Sequence, residues 1–153
     1  MVKVVLVNPE IPPNTGNIAR TCAATATELH LIEPLGFELS DRQLKRAGLD
    51  YWPHVNLHVH ASWSAFALQH AQHEGRLIGL STRGTKPYTD IQYQAEDWLL
   101  FGRETRGLSP EILEDCSPTA YIPMRGKGVR SLNLSVSVAI VLFESLRQAD
   151  QSL

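Results

Sequence analysis

Five short apolar runs, each cut off within a few residues by proline or glycine, limit what this chain can fold into. They are Val4-Val5-Leu6-Val7, Leu29-His30-Leu31-Ile32, Leu77-Ile78-Gly79-Leu80, Trp98-Leu99-Leu100-Phe101 and Ala120-Tyr121-Ile122. Runs of this length with little polar alternation fit strands buried on both faces, as in a parallel sheet. Ligands of such sheets sit beyond the carboxyl ends of the strands. Leu99–Leu108 (Leu-Leu-Phe-Gly-Arg-Glu-Thr-Arg-Gly-Leu) and Tyr121-Ile122-Pro123-Met124 both break into turns carrying polar groups. After a glycine-bearing basic loop comes Arg130-Ser131-Leu132-Asn133-Leu134-Ser135. These pieces predict one small-molecule pocket assembled from several loops.

Helical segments alternate with the strands. The first is expected from about Asn14 or Thr15 to Thr25, with Ala19, Ala23 and Ala24 small enough for close packing. Ser40-Asp41-Arg42-Gln43 fits a capping box opening a short basic helix that stops at Gly48. Residues 55–59 read as a short strand and 62–73 as a helix ending before Gly75. Ser109-Pro110-Glu111 places a cap and a first-turn proline before a brief helix to about Asp115. The last helix, about Leu132 to Arg147, is apolar nearly all round through Val136, Val138–Val141, Leu142 and Phe143. A helix of that kind is expected to be buried on every face, with a partner subunit supplying part of the cover. The alternation predicts α/β architecture with a mainly parallel sheet, as a single domain over residues 1–153.

Bulk properties narrow the function classes. The 153 residues are 43% apolar and 20% charged, as in an ordinary globular domain. A net charge of −2 and a pI near 6.3 give no global nucleic-acid signal, so an anionic partner needs a local basic patch. Cys22 and Cys116 are isolated and read as reduced thiols of a cytoplasmic protein. No run suits a signal peptide or a membrane span. Strand one leads into Asn8-Pro9-Glu10-Ile11-Pro12-Pro13 rather than GxGxxG, which disfavours a dinucleotide site despite Glu33 after strand two. The pairs His58/His60 and His70/His73 have no cysteine or acid at ligand spacing, so no metal is expected. A GxSxG elbow is also missing.

The basic residues point further. Arg125, Lys127 and Arg130 share one loop, and Arg42, Lys45 and Arg46 share the short helix. Arg20, in a helix of small apolar residues, is expected to need an anionic partner, either an internal acid or a bound phosphate.

Asn14-Thr15-Gly16-Asn17-Ile18-Ala19-Arg20, Phe101–Leu108 and Ile122-Pro123-Met124 with Arg130–Ser135 resemble, in order, the three motifs of SPOUT RNA 2′-O-ribose methyltransferases. The likeness runs from about Val4 to Glu144. It is strongest to the minimal single-domain subfamily that methylates the wobble nucleotide of tRNA, helped by Pro9–Asn17 and Arg46–Tyr51. The resemblance implies a sheet with a C-terminal deep trefoil knot, a homodimer through the C-terminal helix and helix one, and S-adenosylmethionine as cofactor. It places Leu80, Gly102, Ile122 and Ser131 on the cofactor through backbone groups, with Met124, Leu132 and Asn133 lining the same pocket. It makes Arg20 the catalytic centre. Asn17 and Arg130 would position RNA, and Arg42 and Arg46 would track its backbone. Phe143 stands where some close members carry tyrosine, and the loop at Gly126–Val129 is unusually glycine-rich. The implied substrate is nucleotide 34, cytidine or a modified uridine. The competing readings are methylation of rRNA, of another tRNA position or of a small molecule, and a non-catalytic RNA-binding module.

Overall fold

The computed structural model describes residues 1–149; positions 150–153 of the expected domain lie outside the described residues. Seven strands form one parallel sheet: β1 (Lys3–Val7), β2 (Glu28–Ile32), β3 (Leu57–His60), β4 (Leu77–Leu80), β5 (Lys86–Pro87), β6 (Trp98–Phe101) and β7 (Thr119–Tyr121). Their order is β3-β2-β1-β6-β4-β7-β5. Among the described residues five α-helices accompany them, α1 (Pro12–Ala24), α2 (Arg42–Gly48), α3 (Trp63–His70), α4 (Pro110–Glu114) and α5 (Leu134–Ala149), with 3₁₀ turns at Leu49–His54 and Tyr88–Asp90.

The apolar runs explain the layering. Along β1, Val4 and Leu6 join one buried cluster with Ile18, Ala19 and Cys22 of α1 and Val138, Val141 and Leu142 of α5. Val5 and Val7 point the other way, joining Phe66 of α3 and Ile112 of α4. Side chains alternate across a strand, so a run apolar at every position needs helices on both faces. Gly16 lets α1 and α2 meet: a Cβ there would lie 2.4 Å from the Leu44 carbonyl oxygen.

Several boundaries differ from the sequence expectation. Helix α1 starts two residues earlier than Asn14, because Pro12 and Pro13 occupy a first turn whose N–H groups have no intrahelical partner anyway. At α2 the cap is Asp41, not Ser40: its Oδ1 accepts from the N–H of Gln43 (2.8 Å) and Leu44 (3.2 Å). Strand β3 lies at 57–60 rather than 55–59, and α3 ends at His70 rather than His73. Ser62 caps α3 and Ser109 caps α4 through their hydroxyls. Strand β7 ends at Tyr121, one residue short of Ile122. Helix α5 begins at Leu134, which leaves Leu132 and Asn133 in the loop before it. The two-residue edge strand β5 carried no apolar run to announce it. Burial of α5 on every face does not hold within one chain. Its residues Val136 and Phe143 are 46% and 50% exposed.

Candidate active site

Strands β4, β6 and β7 lie together, and their carboxyl ends open on one cavity of about 480 Å³. Residues 80–83, 101–107 and 120–122 supply three walls, the loop 130–134 a fourth, and Ile11 and Asn14 at the start of α1 a fifth. All seven expected cofactor residues line it: Leu80, Gly102, Ile122, Met124, Ser131, Leu132 and Asn133. Arg130 lines it as well. Gly102 is required by close approach, since a Cβ there would stand 2.0 Å from the Gly107 carbonyl carbon. That approach is fixed by a tight turn in which the Gly107 N–H donates to the Arg103 carbonyl oxygen (2.8 Å).

One hydrogen-bonded chain joins three of these walls. The Glu104 carboxylate accepts from the backbone N–H of Glu10 (2.8 Å) and Ile11 (3.0 Å) and from Asn14 Nδ2 (3.3 Å). Asn14 Oδ1 accepts from Asn133 Nδ2 (3.0 Å), and Asn133 Oδ1 accepts from the Ser135 N–H (2.9 Å) and hydroxyl (2.6 Å). Every donor in the chain faces an acceptor, which sets both amide orientations. Glu104 also supplies the negative charge that the helix dipole favours where α1 begins; the Ile11 cap residue makes no side-chain bond of its own. Opposite it, Glu10 Oε1 accepts from the Thr105 N–H (3.1 Å) and hydroxyl (2.7 Å), and these bonds hold the Glu10 carboxyl below its ordinary value.

The cavity is cationic. Arg83, Arg103, Arg106 and Arg130 line it, and none is ion-paired among the described residues. Glu104 is the single lining acid, and it is committed to α1. Arg83, Arg103, Arg106 and Asn14 were not among the site residues expected from sequence. Their signal was present in the Thr-Arg-Gly turn after Leu80, in the Arg-Glu-Thr-Arg segment after Gly102, and in the asparagine opening the first motif.

The other expected residues lie elsewhere. Arg20 is exposed, its guanidinium 5.2 Å from the Tyr51 ring centroid, with no acid partner among the described residues, which removes the internal acid from the two expected partners and leaves a bound phosphate. Arg20 lies six residues beyond Asn14, about 9 Å further along the helix, and does not line the cavity. Asn17, Arg42 and Arg46 are also exposed and outside it. With Lys45 they make an exposed polar and basic surface on α1 and α2.

The histidines gather at the other end of the sheet. His30 and His60 are buried, and His30 Nδ1 lies 2.9 Å from His60 Nε2. Burial drives the His30 imidazole down to about 4, against partial support from Glu28. Glu28 adjoins both His30 and His58, so an acid does complete a histidine set, across strands rather than along one.

The parallel α/β fold is shared with solved RNA methyltransferases. The chain superimposes with a TM-score of 0.92 on a 50% identical structure described as giving insights into 2-OH methylation of C/U34 on tRNA, covering 97% of this chain and 95% of that one. An AdoMet-bound rRNA methyltransferase from Sinorhizobium meliloti aligns with a TM-score of 0.88 at 26% identity, over 95% of this chain and 56% of that one. The chain belongs to the SpoU rRNA Methylase family, which matches residues 1–143. Among its relatives, a tRNA (cytidine(34)-2′-O)-methyltransferase of Burkholderia pseudomallei is 50% identical over 151 residues, 97% of this chain and 96% of the relative. A Synechocystis sp. protein whose name assigns it provisionally to the same activity is 60% identical over 149 residues, 97% of each chain.

Proposed function

We propose that this chain is an S-adenosylmethionine-dependent methyltransferase acting on the ribose 2′-hydroxyl of nucleotide 34, cytidine or modified uridine, of tRNA. The observation that carries the reading is the single cavity in which Leu80, Gly102, Ile122, Met124, Ser131, Leu132 and Asn133 converge. Its volume of about 480 Å³ suits a nucleoside-sized ligand. S-adenosylmethionine, when bound, supplies an electrophilic methyl group on a sulfonium. Leu80, Ile122, Met124 and Leu132 offer it apolar walls, while backbone groups at Gly102 and Ser131 offer donors and acceptors. The cavity arginines suit a ligand carboxylate and RNA phosphate. The expected knot would lie where residues 122–133 return beside the loops after β4 and β6.

Arg20 is the residue proposed to act on the substrate hydroxyl. A guanidinium stays protonated in proteins, so its part is to clamp a substrate phosphate and stabilise the developing alkoxide. Since it stands apart from its own chain's cavity, a homodimer through α1 and α5 would carry it to the cavity of a second copy. The exposed Val136 and Phe143 support α5 as the apolar part of that interface. Asn17, Arg42 and Arg46 would then hold the anticodon arm alongside Arg130. A cytoplasmic location fits this substrate, and no described helix is long and apolar enough to cross a membrane.

The test is transfer of labelled methyl from S-adenosylmethionine to tRNA lacking native 2′-O-methylation, with rRNA in parallel and the modified nucleotide mapped. Label on the ribose of nucleotide 34 is expected. Label confined to rRNA, or none on either RNA, overturns the reading.

A further inference from the structure

At the amino ends of β2 and β3, far along the strands from the cavity, three side chains converge with no part in methyl transfer. Glu28 opens β2, and His30, two residues on, projects from the same face. His58 is the register partner of His30 on parallel β3. One donor atom from each lies within 4.8 Å of the other two. Glu28 Oε2 stands 3.2 Å from His30 Nε2 and 3.8 Å from His58 Nε2. We propose that Glu28, His30 and His58 form a binding site for a first-row divalent transition metal ion, with Zn²⁺ the best match.

Three features carry this. A tetrahedral ion with bonds of about 2.0–2.1 Å sets its ligand atoms roughly 3.3 Å apart, close to the 3.2 Å and 3.8 Å already separating Glu28 from the two imidazoles. His58 Nε2 is buried and has no hydrogen-bond partner, so a polar atom facing the carboxylate is left unsatisfied. Third, His30 Nδ1 faces His60 Nε2 at 2.9 Å. Without metal, His30 Nε2–H donates to Glu28 (3.2 Å); on binding, the tautomer with Nδ1–H donating to His60 frees Nε2 for the ion, the outer-shell arrangement that orients metal-bound histidines.

Two imidazoles and a carboxylate suit Zn²⁺, Co²⁺ or Ni²⁺ better than Mg²⁺ or Ca²⁺, which take oxygen ligands. The His30 and His58 rings are stacked, 9° from parallel with centroids 4.5 Å apart, so chelation requires one ring to turn. The half-exposed His58 is the one able to turn. His30 is held by His60, Trp98 and Phe66. The bound ion would fasten the edge strand β3 to β2, acting on stability and not on the reaction.

The test uses tag-free, chelator-stripped full-length protein titrated with ZnCl₂ and, separately, with CoCl₂. One equivalent should bind, raise Tm, and give Co²⁺ the visible absorption of a four- or five-coordinate site. His58→Ala and Glu28→Gln should each weaken Zn²⁺ binding at least tenfold and abolish the Tm response. His73→Ala, which removes an exposed histidine three residues past the end of α3, should change neither. Methylation should be indifferent to Zn²⁺. Isosteric Glu28→Gln guards against loss through misfolding, since its metal-free Tm should match that of the parent. Equal Zn²⁺ affinity in the parent and both site variants, or no stoichiometric binding, overturns the proposal.

Discussion

The two ends of the parallel sheet treat charge in opposite ways. At the amino ends, charges meet partners within the chain: Arg76 donates from Nε (2.9 Å) and Nη2 (2.7 Å) to Asp97, and Lys3 Nζ pairs with Glu96 (3.0 Å). Asp97 is fully buried and also accepts the Gln94 N–H (2.8 Å). At the carboxyl ends, four arginines line a cavity and none has an acid partner among the described residues. Paired charge closes a structure, while unpaired charge gathered around a concavity leaves affinity for an anion unspent. The net charge of −2 hides this, because it averages the two ends.

The sharpest way to break the comparison is Arg20→Ala. Loss of the proposed alkoxide stabiliser should lower kcat by about 100- to 1,000-fold. S-adenosylmethionine affinity should be unchanged, because Arg20 does not line its own chain's cavity and its proposed contacts in the second copy are to the RNA phosphate and hydroxyl. Single-turnover kinetics and equilibrium binding together check both halves, and near-parental turnover would remove Arg20 from the mechanism.

Asp97→Ala tests the opposite end. It should cost about 3 kcal/mol, near the low end for a broken buried pair because Arg76 is still one-third open to water. Activity per folded molecule should stay the same. Denaturant unfolding beside the methylation assay separates the two effects, and a loss of kcat without a loss of stability would contradict the division.

Glu104→Ala should fall between these cases. The Glu10 and Ile11 N–H groups lose their acceptor, worth about 1–3 kcal/mol, and the Asn14 amide is freed to turn away from Asn133. Both stability and kcat should drop, and a change in stability alone would make Glu104 a structural cap only.

The smallest effect concerns the thiols. Burial pushes Cys22 and Cys116 up to about 12 from an ordinary value near 9. The folded state therefore holds protons that the unfolded state gives up above pH 9, so this contribution is intact below pH 9 and is lost as pH rises toward 12. Unfolding midpoints measured from pH 8 to 11 should decline. At pH 8 both cysteines should resist alkylation until denaturant is added.

What sequence could and could not reveal follows from how local each signal is. Apolar runs ending in turns are local, so the sequence alone puts Leu80, Gly102 and Ile122 at strand ends. The Ser109-Pro110 cap was legible for the same reason. Glu104 capping α1 joins residues more than 90 apart, and no spacing announces it. The Glu28–His58 approach depends on the register of β2 against β3, which residue spacing along one segment does not report. The small residues around Arg20 point to an anionic partner, but they do not say that the side chain lies exposed against Tyr51. On that helix Gly16 packs against α2 and Ala19 against the core, with Arg20 on the side left open. Strand β5 holds only Lys86 and Pro87, too little for any periodicity to register.

The strand order carries a consequence for how the chain must assemble. Strand β6 fills the gap between β1 and β4, pairing Lys3 with Trp98 on one side and Leu77 with Trp98 on the other. During synthesis, β1 and β4 leave the ribosome before the strand that joins them. Until residue 101 is available, each presents an unfilled row of backbone hydrogen bonds, the kind of edge that captures a neighbouring chain. The middle of the sheet is thus completed late, and every wall of the cavity waits on it.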